Sequence, residues 1–348
     1  MPTDLAGDLY YNPLLTRAAV TNIQNDKRFT AARAWPRMIV DKPTGLYDKV
    51  KTGDLNRDEV EARGQNSPAA IARVGYERGT FSVPTESLAY DLNDVAVKAS
   101  NVTRNPARII PRVLGVKGSI RLERMMARKF LGADGQSIPW YRTVTGGASD
   151  TVNAYTSAGT RKYFNSSTDL LVAVLEEAGY ISRKAGMDPD AMLFARDAWL
   201  AFRTNDSIIA ALNVAGVPVS RNRPATMQEV ADLLELDWVG VSKATYNTQP
   251  YGIDPSNTEI VPAGCALLYF RGAGKNEDPG EWVDEMPVAG ACQVWKDGAN
   301  GNPEGIRIRK FRDEKAGSGG SDHSEMDTFR DYGVVTPELG TFFTGMVQ

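Results

Sequence analysis

The chain has 348 residues, 42% of them hydrophobic and 24% charged, with a formal net charge of -3. Such a length suits two domains, or one domain with a large insertion, around a substantial core. The near-neutral charge excludes a surface that coats nucleic acid throughout and confines charge-driven contacts to local patches, and no apolar run is long enough to cross a bilayer.

Residues 1–36 read as an arm rather than a domain. Short apolar groups mix with Asn22, Asn25, Asp26 and Lys27, and no period is sustained. Residues 1–8 lack a basic region followed by an apolar one, so no secretory signal is expected and the chain is assigned to a cytoplasm. Residues 37–40 predict a short strand, stopped by Pro43 and Gly45. Mixed charge then crowds residues 46–76, including Asp48, Lys49, Asp54, Arg57, Asp58, Glu59, Glu61 and Arg63, and apolar groups are sparse before Ile71 and Val74. Residues 76–83 alternate like a strand. Two strand-like ends around a charged middle predict a two-stranded flap with no core of its own. A surface insertion would have the same composition.

Residues 105–131 predict a long helix. Asn105 followed by Pro106 is a cap with proline at the first helical position, and Pro111 should kink the first turns. Val113, Val116, Ile120, Ala127 and Phe130 recur at helical spacing, and Leu114, Leu122, Met125 and Met126 widen that side. Arg108, Arg112, Lys117, Arg121, Arg124, Arg128 and Lys129 supply the rest, with Glu123 the only acid. Gly115 and Gly118 each cost roughly 1 kcal/mol against alanine, so neighbours must hold this helix.

Residues 132–159, rich in Gly, Ser, Thr and Asp, read as a connection between domains. Residues 166–169 cap a helix whose stripe is Leu170, Leu171, Val174, Leu175, Ala178 and Ile181, ended by Gly186. A buried strand at 191–195, short helices at 196–202 and 208–212, and a capping box at Thr226 and Glu229 follow. Strands are expected at 238–241, 266–270 and 293–295, which makes residues 160–297 an α/β unit. In the tail, residues 306–312 alternate apolar and basic groups, residues 317–320 form a flexible turn, and residues 328–335 and 341–347 suit further strands. These tail strands are expected to form one sheet under the long helix.

Little in the sequence points to chemistry. His323, the single histidine, lies in a loop-like Gly-Ser-Gly-Gly-Ser-Asp-His-Ser run, which is poor support for a catalytic base. Cys265 and Cys292 sit in apolar surroundings, where a buried free thiol is the default, and with one histidine they cannot complete a zinc site. Gly272, Gly274 and Lys275 lack phosphate-loop spacing. No catalytic, metal or cofactor-binding residue is nominated and no cofactor is expected. The function is expected to lie in the surfaces.

Taken in order, these segments resemble the major capsid protein of tailed bacteriophages, with the HK97-type fold. The arm resembles family arms in its Leu15-Thr16 start and its Phe29-to-Pro36 end. Residues 46–81 resemble the extended loop, or E-loop. Residues 90–95 (Tyr-Asp-Leu-Asn-Asp-Val) resemble the motif that precedes the long helix. Residues 121–127 (Arg-Leu-Glu-Arg-Met-Met-Ala) resemble the Arg-Glu-Ala pattern of the spine helix. The resemblance implies an α+β capsid fold with an arm at 1–43, the extended loop at 44–88 and a peripheral domain at 89–150 carrying the spine helix. An α/β axial domain follows at 151–305, with further peripheral strands at 306–348. It implies a structural role without enzyme activity: self-assembly into the hexamers and pentamers of an icosahedral virion shell around double-stranded DNA, with no membrane. Implied partners are other copies, a separate scaffolding protein, a portal and decoration proteins. The scaffolding protein is inferred from the lack of a long N-terminal extension. Arg57, Asp58, Glu59, Glu61 and Arg63 are assigned to contacts between subunits, where charge sets register and specificity. Arg121, Arg124, Arg128, Arg307 and Arg309 are assigned to nonspecific, salt-sensitive contact with DNA. The two glycines and the proline depart from a regular spine helix. An encapsulin-like shell enclosing protein cargo shares the fold and stays open as an alternative. A nucleic-acid-binding module and an α/β enzyme fit the residues less well.

Overall fold

The computed structural model describes residues 12–60, 71–93, 106–145, 170–220, 223–272, 278–282, 286–313 and 321–346. The expectations for residues 1–11, Glu61, Arg63, the end of the motif at 94–95, the cap at Asn105, residues 146–169, Gly274, Lys275 and the turn at 317–320 lie outside them.

In chain order the first half comprises α1 (Pro13–Asn25), α2 (Ala31–Ala34), β1 (Arg37–Val40), β2 (Thr44–Val50), α3 (Thr52–Leu55), β3 (Tyr76–Ser82), β4 (Glu86–Asn93), α4 (Pro106–Phe130) and β5 (Arg142–Thr145). The second half begins with α5 (Leu170–Ala185), β6 (Ala191–Ala195), α6 (Arg196–Arg203), α7 (Asp206–Val214), α8 (Met227–Leu233) and β7 (Trp238–Ser242). It continues with β8 (Thr245–Asn247), β9 (Asn257–Glu259), β10 (Ala266–Tyr269), β11 (Gly290–Trp295), β12 (Ile306–Asp313), β13 (Ser321–Thr328), β14 (Arg330–Val334) and β15 (Gly340–Thr344).

The long helix α4 lies against an antiparallel sheet of order β12-β13-β4. Strand β12 alternates, burying Ile306 and Ile308 and turning Arg307 and Arg309 to the other face, as a strand with one covered side must. A second sheet, here called the axial sheet, has the order β5-β15-β10-β6-β7. Its central strands are apolar on both faces: β6 and β10 are wholly buried, and Phe342 and Phe343 of β15 are both buried. A third sheet, β1-β11-β14, joins the chain's beginning to its end.

Three expectations change here. The tail strands do not share one sheet: β12 and β13 lie against α4, β14 joins β1 and β11, and β15 enters the axial sheet. Residues 142–145, read as part of a linker and placed in the peripheral domain, are an axial strand parallel to β15. Strand β11, placed in the axial domain, pairs outside it.

The arm also differs from its reading. Residues 13–25 form a helix, started by the Asn12 side chain accepting from Leu15 N at 3.0 Å with Pro13 at the first position. Leu15, Ala19 and Ile23 recur every four residues and are buried. They belong to the same core as Leu114, Leu122 and Met126 of α4. This asparagine-proline start is the same signal that was read before α4. Farther on, Trp35 stacks at 4.0 Å from Phe130 and 4.3 Å from Tyr269. Gly290 makes room for that cluster, since a Cβ there would fall 2.8 Å from Phe130. From residue 12 onward the arm is core of its own subunit.

Within α4 the buried face is rotated from the expected one. Ile110, Leu114, Leu122, Met126, Ala127 and Phe130 are buried, whereas Val113, Val116 and Ile120 are half-exposed. Gly118 allows close packing: a Cβ there would lie 2.8 Å from the Met326 Cε of β13 and 3.8 Å from Ile23. In α5, Leu175 is exposed, while Glu177 is buried with Arg142.

Candidate functional site

The flap is an antiparallel ribbon of β2 and β3. Two cross-strand pairs set its register, Gly45 opposite Phe81 and Tyr47 opposite Gly79. In each pair the aromatic ring covers the glycine, so a shift of one residue would uncover both rings. The ribbon is anchored at both ends. Val83 is buried at its base and Val50 at its far end, and Tyr47 between them meets Trp282 edge-on at 5.8 Å. The Lys49 ammonium donates to the Val335 carbonyl. Beyond Val50, Asn56 Nδ2 donates to the Ala185 carbonyl at 3.2 Å, which satisfies a free acceptor at the end of α5.

Toward the tip, the polar groups satisfy one another. Arg57 donates to Asp54 at 2.7 Å and lies 3.5 Å from Glu59. Asp54 also accepts from Gly75 N at 2.8 Å, Glu59 from Arg73 N at 2.9 Å, and Asp58 from Val60 N at 3.2 Å. Of the five charged residues assigned to subunit contacts, Arg57, Asp58 and Glu59 therefore have partners inside the flap, and Glu61 and Arg63 lie outside the described residues. Among the described flap residues, several apolar groups face solvent alongside the charged ones. Val60 is 92% exposed and Ile71 82% exposed, and Leu55, Val74 and Tyr76 join them. Ile71 and Val74 stood in the sequence only as the place where sparse apolar content ended; their separation from any core was the missed signal.

The five arginines assigned to DNA all face carboxylates. Arg121 donates to Glu86 at 2.7 Å. Arg124 lies 3.1 Å from Asp134 and 4.4 Å above the Tyr246 ring, and Arg128 is 3.7 Å from the same Asp134. Arg307 sits 3.0 Å from Asp327, and Arg309 sits 3.0 Å from Glu325 and 3.2 Å from Asp327. Two groups form: one along the C-terminal half of α4, the other on the face of the sheet turned away from it. The basic alternation of β12 is thus answered across the ladder by acids of β13. Cross-strand charge pairing of this kind stabilises a sheet modestly and leaves little unbalanced charge.

Glu123, the only acid of the long helix, turns into the fold rather than outward. It is fully buried. Its Oε2 accepts from Thr30 N at 2.9 Å and Ala31 N at 2.8 Å, and its Oε1 faces the Thr30 hydroxyl at 2.8 Å and the Ser242 hydroxyl at 2.5 Å. Burial raises its pKa, against the opposing pull of the Ser242, Ala31 and Thr30 hydrogen bonds. A proton, when present, sits on Oε1, because only the hydroxyls can turn to accept it. The other end of α2 is held as firmly: the Ala31 and Ala34 carbonyls accept from Tyr332 and Tyr269, at 3.2 and 2.8 Å. One short helix of the arm is thereby bound to α4, β7, β10 and β14.

His323 lies on β13 rather than in a loop, packed 4.4 Å from the Phe311 ring with its Nδ1 against the Asp91 carboxylate. Cys265 and Cys292 are buried free thiols, pushed by burial to about 12 and about 11. Among the described residues, no cluster of three or more His, Cys, Asp or Glu side chains is placed to hold a metal. No described helix is long and apolar enough to cross a membrane.

No family model and no curated protein matches the chain in sequence. Solved structures do match it in shape. A phage-related protein from Bordetella bronchiseptica RB50 is similar over 97% of each chain, with 16% identity and a TM-score of 0.65. The capsid structure of the cyanophage P-SCSP1u is similar over 89% of this chain and 86% of its own, with 8% identity and a TM-score of 0.50. The chain has the α+β, HK97-like fold that its sequence resemblance implied.

Proposed function

We propose that this chain is the shell-forming subunit of a tailed-phage capsid. Copies associate into hexamers and pentamers and close an icosahedral shell around double-stranded DNA. The observation that carries the reading is the flap, an anchored ribbon with a fixed register that, among its described residues, leaves Leu55, Val60, Ile71, Val74 and Tyr76 exposed. Exposed apolar groups clustered on a projecting element mark an interaction surface. A capsid fold supplies the context in which another copy covers them. In this reading adhesion comes mainly from Val60, Ile71 and their neighbours. Arg57, Asp58 and Glu59, together with Glu61 and Arg63, set the specificity of the contact.

Packaged DNA is the proposed content of the shell. Contact through Arg121, Arg124, Arg128, Arg307 and Arg309 is weak here, because each already faces a carboxylate, and a small number of phosphate contacts gives a shallow salt dependence. The role is structural and calls for no catalytic group. A scaffolding protein, a portal and decoration proteins are the proposed partners beside other copies, in a virion assembled in the host cytoplasm.

The test replaces residues 53–65 with a short Gly-Ser link. The unassembled subunit should melt close to the unmodified chain, and closed particles should disappear from negative-stain fields. Normal particle yield would show the flap to be only a surface insertion, and an unmodified chain that forms no particles under any assembly condition would sink the proposal.

A further inference from the structure

A groove of about 890 Å³ opens beside α4, on a floor of Leu88, Val116, Ile120 and Met326. Tyr246, at the base of the β8–β9 hairpin, forms one wall. The half-exposed side of α4 explains why this apolar floor is reachable. At the rim stands Lys117, exposed and without an ion-pair partner among the described residues. The only carboxylate lining the groove, Glu86, is engaged by Arg121.

The loop that leaves this wall, residues 248–256, has complementary features. It is held in one shape from within. Thr248 N donates to the Ser256 carbonyl at 3.1 Å, and the Asn247 side chain accepts from Gln249 N and Ser256 N, both at 3.0 Å. Gly252 takes φ +90, a turn that an L side chain resists. Held out at the tip are Tyr251, fully exposed, and Ile253, 58% exposed. Asp254 is exposed and has no ion-pair partner among the described residues, and no lysine or arginine occurs from residue 245 to residue 259. A preformed loop displaying an aromatic anchor binds with little ordering cost.

We infer that the 248–256 loop of one copy seats in the α4 groove of the next, with Tyr251 and Ile253 on the apolar floor and Asp254 against Lys117. The loop's own groove is not its seat, since the tip stands in solvent while its base forms the wall. Loop and groove are different patches of one chain, so the contact is head-to-tail, and it propagates around a ring when the rotation closes. The inference rests on the reading that copies of this chain assemble.

The experiment uses the full chain with Lys117→Cys and Asp254→Cys together, and each alone, assembled and treated with a short bis-maleimide. Background from Cys265 and Cys292 is low because both thiols are buried. The double variant should yield a ladder of cross-linked oligomers, and the single variants none. Particles without cross-links overturn the loop-in-groove contact and leave the shell proposal standing. Bands that stop at the dimer overturn the head-to-tail arrangement. A cross-link from the Lys117→Cys single variant to a different polypeptide assigns the groove to that partner instead. Failure of the unmodified chain to form any particle overturns the shell proposal itself. As an independent measure, Lys117→Asp and Asp254→Lys should each lower particle yield several-fold, and combining them should restore it; an unrescued double exchange would count against the pairing.

Discussion

The arm and the flap look alike in sequence, neither showing a sustained period, yet they end in opposite places. The arm places one apolar residue per turn of α1 on the same core as α4 and binds α2 at both ends through buried polar groups. The flap hides only the ends of its ribbon and leaves Val60 and Ile71 outside. The difference shows that the lack of an evident period does not by itself mark a segment as waiting for a partner. What matters is whether the few apolar groups share one face, and whether the free backbone groups find acceptors and donors nearby.

The largest test of that contrast removes each segment. Deleting residues 12–36 should abolish the cooperative melt of the subunit, because Trp35, Phe29 and Ile23 leave the core with it. Deleting the flap tip should leave the melt and remove the particles. A deleted arm that still melts cooperatively would break the comparison.

Next comes Glu123→Ala, which leaves two backbone N–H groups and two hydroxyls without their acceptor. The expected loss is on the order of 3 kcal/mol or more, read from urea midpoints. Glu123→Gln keeps the volume and changes the pH dependence. With the carboxyl raised by burial, the folded chain keeps a proton that the unfolded chain has released. The stability from this group is therefore greatest below the ordinary glutamate value, and it declines as pH rises through the raised one. The glutamine variant should flatten that decline in midpoints measured from about pH 4 to about pH 8. An unchanged slope would mean that Glu123 does not titrate in this range.

A smaller pair sharpens the contrast at single residues. Ile23→Ala should cost about 2–4 kcal/mol of subunit stability. Val60→Ala should stay within about 0.5 kcal/mol in the same melt while lowering particle yield. The least effect is expected for Gly118→Ala. The gain of roughly 1 kcal/mol in helix propensity is offset by displacing the Met326 methyl. A net change beyond about 1 kcal/mol in either direction would show that the helix, rather than its contact with β13, sets this position.

Local patterns determined a good deal. The start at Pro106 and the end near Phe130 of α4, the capping box at Thr226 and the buried run of β6 could be read directly, because caps and periods are properties of neighbouring residues, whereas the first strand of the flap runs through Gly45, where a stop is expected, and residues 37–40 pair with β11 instead. The helix at Pro13 carried the same asparagine-proline signal and was readable too, although the polar residues after it obscured the stripe of Leu15, Ala19 and Ile23. In the candidate site, the strand at 76–83 was legible from its alternation. The partners of Arg57 and of the five other arginines were not legible, since a cationic side chain does not reveal which acid the fold will bring beside it. Tertiary structure alone decided that β14 and β15 leave the sheet of β12, that the arm enters the core, and that Glu123 becomes its buried acceptor. Strand partners, buried polar pairs and interhelical contacts join residues far apart in the chain. Their choice depends on which whole arrangement buries the most apolar surface while leaving the fewest polar groups unsatisfied.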